Sequence, residues 1–225
     1  MSKHLRQATY DIFGIKKEIK VIYNFVDTDV FKPGKNLEMR RHFAPDDHRI
    51  LIHASNFRPV KRVLDTIKAF NLIRKEIPSV LLMVGEGPDY YPAQLLVSEL
   101  GICDKVKFLG SSEEIETLLP LADLFVMNSI KESFGLSVLE AASCGVPAIV
   151  TNVGGLPEVV EDGITGLIVE PGNVEGMAKQ AVELFNNQDL LRKMGENARK
   201  KAVGKFKTDL IVPEYEKFYE RVLSV

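Results

Sequence analysis

The sequence contains no tryptophan and only two cysteines and four histidines among its 225 residues. Cys103 and Cys144 lie far apart, in apolar or small-residue settings. The histidines are scattered without the spacing of a metal site. This scarcity excludes a disulfide-stapled fold and a Cys/His zinc module. It indicates buried thiols in a reducing compartment.

An excess of one charge is also lacking, because 29 Lys and Arg residues face 31 Asp and Glu residues. No overall field would attract nucleic acid or an anionic membrane, and the basic cluster at 199–207 is typical of a solvated helix face. No apolar stretch approaches the roughly 20 residues that span a bilayer, and no signal peptide opens the chain. We therefore expect a cytoplasmic protein that binds no nucleic acid and does not insert into a membrane.

The apolar content of 45% is sufficient for a sizeable core, and it is arranged in short β-branched runs that alternate with helical patterns. This alternation predicts the α/β class, a Rossmann-like parallel sheet with helices on both faces. The predicted strands are Lys20–Phe25, Ile50–Ala54, Val80–Val84, Val106–Leu109, Leu124–Met127, Ala148–Val150 and Gly166–Val169. Ligands of such sheets bind at the carboxyl ends of the strands, so the loops after the strands are the candidate sites.

The pattern divides the chain into three segments. Residues 1–45 fit poorly with a self-contained domain and are predicted to be the end of a preceding one. Residues 46–208 form the Rossmann-like domain, and 209–225 form a terminal helix. The apolar stripe of that helix fits packing on its own domain or docking on a neighbouring one.

The segment 131–147 places Glu132 and Glu140 around a predicted helix start that follows a buried strand. The first N–H groups of a helix lack intrahelical partners, and the helix dipole is positive there, so an anion is favoured. Carboxylates accept hydrogen bonds from hydroxyls. The pair therefore suits a ligand with a phosphate in its middle and polyols at both ends, such as a nucleotide sugar. Two ordinary surface glutamates are the alternative, and the small-residue run at 141–145 favours the site.

Three cations, Arg58, Lys61 and Arg62, follow the predicted strand Ile50–Ala54. Cations at a helix start oppose the helix dipole, and together they can neutralise a diphosphate. The Gly-rich turn at 85–88 fails as a dinucleotide fingerprint because Tyr90 occupies the third glycine position. A dinucleotide-dependent oxidoreductase is therefore disfavoured. His53, within an apolar strand, is predicted to be a structural histidine.

Together these segments resemble the nucleotide-sugar-binding, C-terminal half of a retaining GT-B glycosyltransferase of group 1. The resemblance runs from about Ile19 to Ser224 and is carried most by residues 132–140, 141–147 and 153–158. Within that group, the segments Asn56–Arg62 and Lys131–Leu136 are most similar to the enzymes of bacillithiol synthesis. Those enzymes transfer N-acetylglucosamine from UDP to L-malate.

The resemblance implies a role for each matching residue. Glu140 would hold the ribose hydroxyls, Glu132 the donor-sugar hydroxyls, and Lys61 the diphosphate. Many relatives carry Gly-Arg where this chain has Ser55-Asn56, so Arg58 is assigned as the replacement guanidinium. The remaining assignments are backbone contacts: diphosphate and sugar against Phe134, Gly135 and Leu136, and uracil against Gly85, Gly110 and Ser111.

The resemblance also implies that this chain is one half of an enzyme whose N-terminal domain carries the acceptor site. No cofactor and no metal are expected, because cations and a helix dipole would neutralise the leaving diphosphate. A non-catalytic nucleotide-binding module and a GT-B-like sugar-nucleotide epimerase are the alternatives, and homo-oligomerisation is left open.

Overall fold

The computed structural model describes residues 1–34, 36–112 and 114–224, which form one six-stranded parallel sheet and its surrounding helices. The strands are β1 (Arg49–Ala54), β2 (Ser79–Val84), β3 (Val106–Gly110), β4 (Leu124–Met127), β5 (Ala148–Thr151) and β6 (Gly166–Val169). Their order is β3-β2-β1-β4-β5-β6, so the direction of winding reverses between β1 and β4. The predicted α/β class and six of the predicted strands are confirmed.

Ten α-helices and two 3₁₀ turns surround the sheet in the described part of the chain. The helices are α1 (Lys3–Phe13), α2 (Leu37–Phe43), α3 (Val63–Ile73), α4 (Tyr90–Glu99), α5 (Ile115–Leu118), α6 (Leu136–Ser143), α7 (Leu156–Val159), α8 (Val174–Asn186), α9 (Gln188–Phe206) and α10 (Thr208–Leu223). The 3₁₀ turns are Pro59–Lys61 and Leu119–Leu121. None of the helices in the described residues combines the length and apolarity that a bilayer crossing requires.

Successive strand residues pack into two different cores, as strands buried on both faces require. In β1, Ile50 and Ile52 join the core formed with α5, α6 and α7, whereas Leu51 joins the core formed with α3, α4 and α8. Helix α9 contributes residues to both cores. The helices that follow β1 and β4, namely α3 and α6, therefore lie on opposite faces of the sheet.

The prediction of a strand at Lys20–Phe25 is wrong. The segment has no strand partner, and the following Val26 makes a single isolated bridge with Lys207. Val26, the residue after the segment, bonds at the junction of α9 and α10, where its N–H donates to the Phe206 carbonyl over 2.9 Å. Ile22 is buried and Val21 is partly buried, whereas Phe25 is exposed, so the short apolar run predicted a strand where the chain packs only in part.

The boundaries of the three predicted segments stay a prediction, and each segment includes one residue that lies outside the described ones, namely Lys35, Glu113 and Val225. Helix α2, which was not predicted, anchors residues 36–44 to the sheet domain. Its buried Arg40 donates to the Asp123 carboxylate over 2.9 Å. In α10, Ile211 is buried, whereas Tyr219, Val222 and Leu223 are exposed.

Phe206 links the N-terminal segment to the core, because its fully buried ring meets Tyr23 and Phe134 at centroid distances of 5.5 and 5.7 Å. We expect Phe206→Ala to lower the free energy of unfolding by about 3–5 kcal/mol, through lost burial and a residual cavity. Phe13→Ala is the matched control, since that ring is 72% exposed. Urea unfolding measures both, and equal losses in the two variants would contradict the assignment.

Candidate functional site

A cleft of about 440 Å³ opens at the carboxyl edge of the sheet, where the winding direction reverses. Residues that follow four strands meet there. From β1 and β2 come Ala54, Ser55, Asn56, Lys61, Val84 and Gly85; from the loops after β3 and β4 and the helices they enter come Ser111, Ser112, Ile115, Glu132, Leu136, Ser137 and Glu140. The cleft exists because α3 and α6 leave β1 and β4 on opposite faces.

Lys61 and Glu132 form an ion pair at the centre of this cleft. Their side chains are 16% and 11% exposed, and Glu132 also accepts from the Ser133 N–H over 3.1 Å. The two loops are tied together at the backbone, since the Ile130 N–H donates to the Val60 carbonyl over 2.9 Å. A cation and a carboxylate thus share one half-buried position, within reach of the same ligand.

The Gly154-Gly155 pair, a weak signal in the sequence, supports the loop that carries Glu132. The Gly155 N–H donates to the Glu132 carbonyl over 3.1 Å. Gly154 has φ +57°, and a Cβ there would lie 1.7 Å from that carbonyl oxygen. A Cβ on Gly155 would lie 2.5 Å from the Ser133 carbonyl oxygen. Neither position can carry a side chain without displacing the loop.

Helix α6 begins at the cleft without a side-chain cap. Its N-cap residue, Gly135, has φ +95° and makes no side-chain capping hydrogen bond. Leu136 and Ser137, the first two helical residues, line the cleft. The Phe134 ring lies in the core, and neither Phe134 nor Gly135 is among the residues that line the cleft, so their predicted backbone contacts stay a prediction. The positive end of a helix dipole therefore faces the cleft beside Lys61.

Glu140 lines the cleft one helical turn further along α6. Burial, together with the nearby negative charge of Glu116, raises the pKa of its carboxyl to about 7. The carboxyl group is therefore partly protonated at neutral pH. A ligand that donates hydrogen bonds to it would favour the ionised form.

His53 is fully buried under the cleft and is satisfied by hydrogen bonds, as the sequence predicted. Its Nδ1 lies 2.9 Å from the Val126 carbonyl oxygen, and its Nε2 lies 2.7 Å from the Ser55 hydroxyl. A carbonyl only accepts, so Nδ1 carries the proton and Nε2 accepts from Ser55. Burial lowers the pKa of His53 to about 4, and the positive charge of Lys61 lowers it too. The neutral ring thus fixes the direction in which the Ser55 proton points.

The structure brings most of the predicted site residues together. Lys61, Glu132, Leu136, Glu140, Gly85 and Ser111 line the cleft. Gly110 lies behind Gly85, whose N–H donates to the Gly110 carbonyl over 2.7 Å. Arg58 is exposed and is not among the lining residues, so its role stays a prediction.

Ser112, Ser137 and Ile115 line the cleft without having been predicted. Ser112 is the second residue after β3, and its position just beyond a strand end is the signal that could have identified it. Among the described residues, no cluster of at least three His, Cys, Asp or Glu side chains is arranged to hold a metal ion. The expectation of metal-free chemistry stays a prediction.

Comparison with protein families and sequences gives a consistent result. The family model described as "Glycosyl transferases group 1" matches residues 34–201. The chain is 42% identical over 224 residues to N-acetyl-alpha-D-glucosaminyl L-malate synthase of Bacillus anthracis, covering 99% of this chain and 59% of that protein. It is 33% identical over 182 residues to D-inositol 3-phosphate glycosyltransferase of Mycolicibacterium smegmatis, covering 77% of this chain and 41% of that protein.

Solved structures agree with this result. The Anabaena protein HepE, crystallised with UDP and glucose, superposes with a TM-score of 0.90 at 25% identity, covering all of this chain and 62% of that one. A C-terminal domain of a group 1 glycosyl transferase from Francisella tularensis superposes with a TM-score of 0.72 at 28% identity, covering 81% of this chain and 99% of that one. The chain thus spans about 59% of the length of the N-acetyl-alpha-D-glucosaminyl L-malate synthase.

The raised pKa of Glu140 predicts a pH dependence of stability. The carboxyl has its ordinary pKa of 4.5 in the unfolded chain and a pKa of about 7 in the folded one. Folding therefore favours the protonated form, and this stabilising contribution is lost as the pH rises between those values. We expect Glu140→Gln to unfold like the wild type below about pH 4.5 and to be more stable than it above about pH 7.

Urea unfolding of both proteins on either side of that pH window measures the difference, in which the other titrating groups cancel. Glu196→Gln, whose side chain is 62% exposed, is the matched control. A difference between Glu140→Gln and the wild type that stays constant with pH would contradict the prediction.

Proposed function

Because this chain belongs to the group 1 glycosyl transferases, we propose that it is the donor-binding half of an enzyme that transfers N-acetylglucosamine from UDP to L-malate. The relative of 42% identity carries the name of that activity. The observation that carries the proposal is the Lys61–Glu132 pair beside the uncapped start of α6, with Glu140 further along the same helix. This arrangement matches a diphosphate flanked by two polyols.

In this proposal the nucleotide sugar lies across the start of α6. The diphosphate occupies the position between Lys61 and the first N–H groups of the helix, where a cation and a dipole both favour negative charge. The ribose hydroxyls donate to Glu140, and the sugar hydroxyls donate to Glu132. The uracil lies against the backbone of Gly85, Gly110 and Ser111, at the edge formed by β2 and β3. HepE, of the same fold, has been crystallised with UDP, which supports this class of ligand.

The proposed reaction breaks the bond between the anomeric carbon and the β-phosphate oxygen and forms one to an acceptor hydroxyl oxygen. Negative charge develops on the leaving diphosphate, and Lys61 with the start of α6 stabilises it more in the transition state than in the ground state. Arg58 would add a further positive charge once a donor is bound. The acceptor attacks from the face that the diphosphate leaves, so configuration is retained, and the acceptor proton passes to the leaving phosphate. No metal is needed in this proposal, because Lys61 and the start of α6 neutralise the developing charge. Glu132 as a covalent nucleophile is the variant of this mechanism.

The acceptor site is proposed to lie on a separate, preceding domain. This chain corresponds to 59% of the length of the malate synthase, so a large part of that protein has no counterpart here. The exposed Tyr219, Val222 and Leu223 at the end of α10 are proposed to contact that domain. Binding of the acceptor and its identity as malate therefore depend on residues outside this chain.

Calorimetric titration of the 225-residue chain with UDP, UDP-N-acetylglucosamine and NAD tests the proposal. We expect both UDP ligands to bind and NAD not to bind. Glu140→Ala should weaken UDP binding by about 10–100-fold, the range for hydrogen bonds to a charged group. Glu196→Ala is the control on an exposed helix face. Absence of UDP binding in this chain and in a protein that includes the preceding domain would overturn the proposal.

Lys61→Ala tests the assigned stabilisation of the leaving group. In a protein that includes the preceding domain, we expect turnover to fall by about 10²–10³-fold, the scale of losing one transition-state donor. Lys179→Ala removes a lysine that is 77% exposed and serves as the control. Steady-state release of UDP is the measurement. Turnover within threefold of the wild type would show that Lys61 does not have this role.

A further inference from the structure

The residue after Lys61 has an unusual backbone conformation. Arg62 has φ 49° and ψ 47°, and it is the one non-glycine residue with positive φ among residues 1–34, 36–112 and 114–224. It both ends the 3₁₀ turn Pro59–Lys61 and precedes the first residue of α3. Glycine reaches this region without strain, whereas other residues hold it only where the surrounding structure compensates. This conformation sets the direction of the chain immediately after Lys61.

The Arg62 side chain is anchored to a buried carboxylate. Its Nε donates to Asp65 Oδ2 over 2.5 Å, and Lys68 Nζ lies 3.7 Å from the other carboxylate oxygen. The Asp65 side chain is 5% exposed. The carboxylate therefore needs its cationic partners, because an isolated buried charge is strongly disfavoured.

Asp65 itself is held rigidly. It lies in the first turn of α3, and its own N–H donates to the Arg62 carbonyl over 2.9 Å. Val63 and Ile67, on either side of it, are fully buried in the core beneath the sheet. Asp65 therefore holds the Arg62 guanidinium in a fixed position relative to the core.

The turn is fixed at its other end by the loop that carries Glu132. The Val60 carbonyl accepts from the Ile130 N–H over 2.9 Å. Within the turn, the Lys61 N–H donates to the Arg58 carbonyl over 2.8 Å. Lys61 is thus suspended between two anchors, the loop after β4 on one side and the Arg62–Asp65 pair on the other.

We propose that Arg62 and Asp65 are positioning residues for Lys61, holding its ammonium group where the diphosphate of the donor binds. This inference rests on the proposed function, which assigns Lys61 to the diphosphate. Neither residue needs to touch the ligand, since both are absent from the lining of the cleft and the Asp65 side chain is buried within the first turn of α3. The bond from the Arg62 side chain to Asp65 keeps the strained backbone of Arg62 in place. It thereby holds the direction in which Lys61 points.

The test measures the affinities of uridine and UDP separately, by NMR titration for uridine and by calorimetry for UDP. Asp65→Asn keeps the shape of the side chain and removes the charge that holds Arg62. We expect it to weaken UDP binding about tenfold, within the coupling range of residues that share a network. Uridine affinity should be unchanged, because uridine lacks the phosphates that Lys61 contacts. Asp46→Asn, which breaks an exposed ion pair with Arg41, is the matched control.

Two further variants make the result decisive. In a Lys61→Ala background, Asp65→Asn should cause no additional loss of UDP affinity, because a positioning residue acts through the group it positions. Arg62→Gly removes the anchor while keeping a backbone that adopts positive φ easily. It should fold and should also lose UDP affinity but not uridine affinity.

The outcomes separate this inference from the proposed function. If Asp65→Asn and Arg62→Gly bind UDP within twofold of the wild type, the positioning role is wrong and the proposed function stands. Equal losses of uridine and UDP affinity, or an additive loss in the Lys61→Ala background, would assign Asp65 a general structural role and overturn the inference. A wild-type chain that binds uridine but shows no extra affinity for UDP would instead refute the assignment of Lys61 itself.

Discussion

The hydrogen-bonded pairing of β1 with β4 is the constraint on which the site depends. These strands are adjacent and parallel, with Leu51 opposite Leu124 and Ile52 opposite Phe125. The helices that follow them cover opposite faces of the sheet, so the two loops must diverge as they leave it. Every charged group of the candidate site lies on or beyond one of these loops. A shift of that pairing would close the cleft and separate Lys61 from Glu132.

The chemistry of the cleft follows from which groups are shielded from water. Lys61 and Glu132 neutralise each other in a half-buried position, and a diphosphate would have to compete with Glu132 for the ammonium group. Glu140 has no cationic partner among the residues that the structure describes, and burial raises its pKa towards neutrality. The Ser55 hydroxyl donates its proton to the neutral His53 beneath it, so its oxygen lone pairs can accept hydrogen bonds in the cleft. The site thus offers a cation and a helix terminus to anions, and oxygen acceptors to hydroxyl or N–H donors.

The sequence predicted the sheet well because strands buried on both faces are continuous apolar runs, and their order in the chain alternates with helices. The same reasoning failed at Lys20–Phe25, a short apolar run that pairs with no strand and is followed by Val26, which bonds at the junction of two helices. Helix α2 escaped prediction because its 7 residues are too few to show a period. The site residues could be predicted from the sequence because they follow strand ends or lie at a helix start. Their mutual geometry was not, because Lys61 and Glu132 are 71 positions apart in sequence. The conformation of Arg62 was equally hidden, since nothing in an arginine signals positive φ.

The contact between Gly154 and the Glu132 carbonyl also has a genetic consequence. Any single-base change in a glycine codon that specifies another amino acid introduces a Cβ, and here that atom would lie 1.7 Å from a backbone oxygen. No substitution at this codon is small enough to avoid that clash. Positions such as Ser112 differ, because side chains of increasing size can be substituted there one after another. Change at Gly154 therefore requires a simultaneous rearrangement of the loop that carries Glu132. Residues at the rim of the site can therefore vary one at a time, whereas Gly154 cannot.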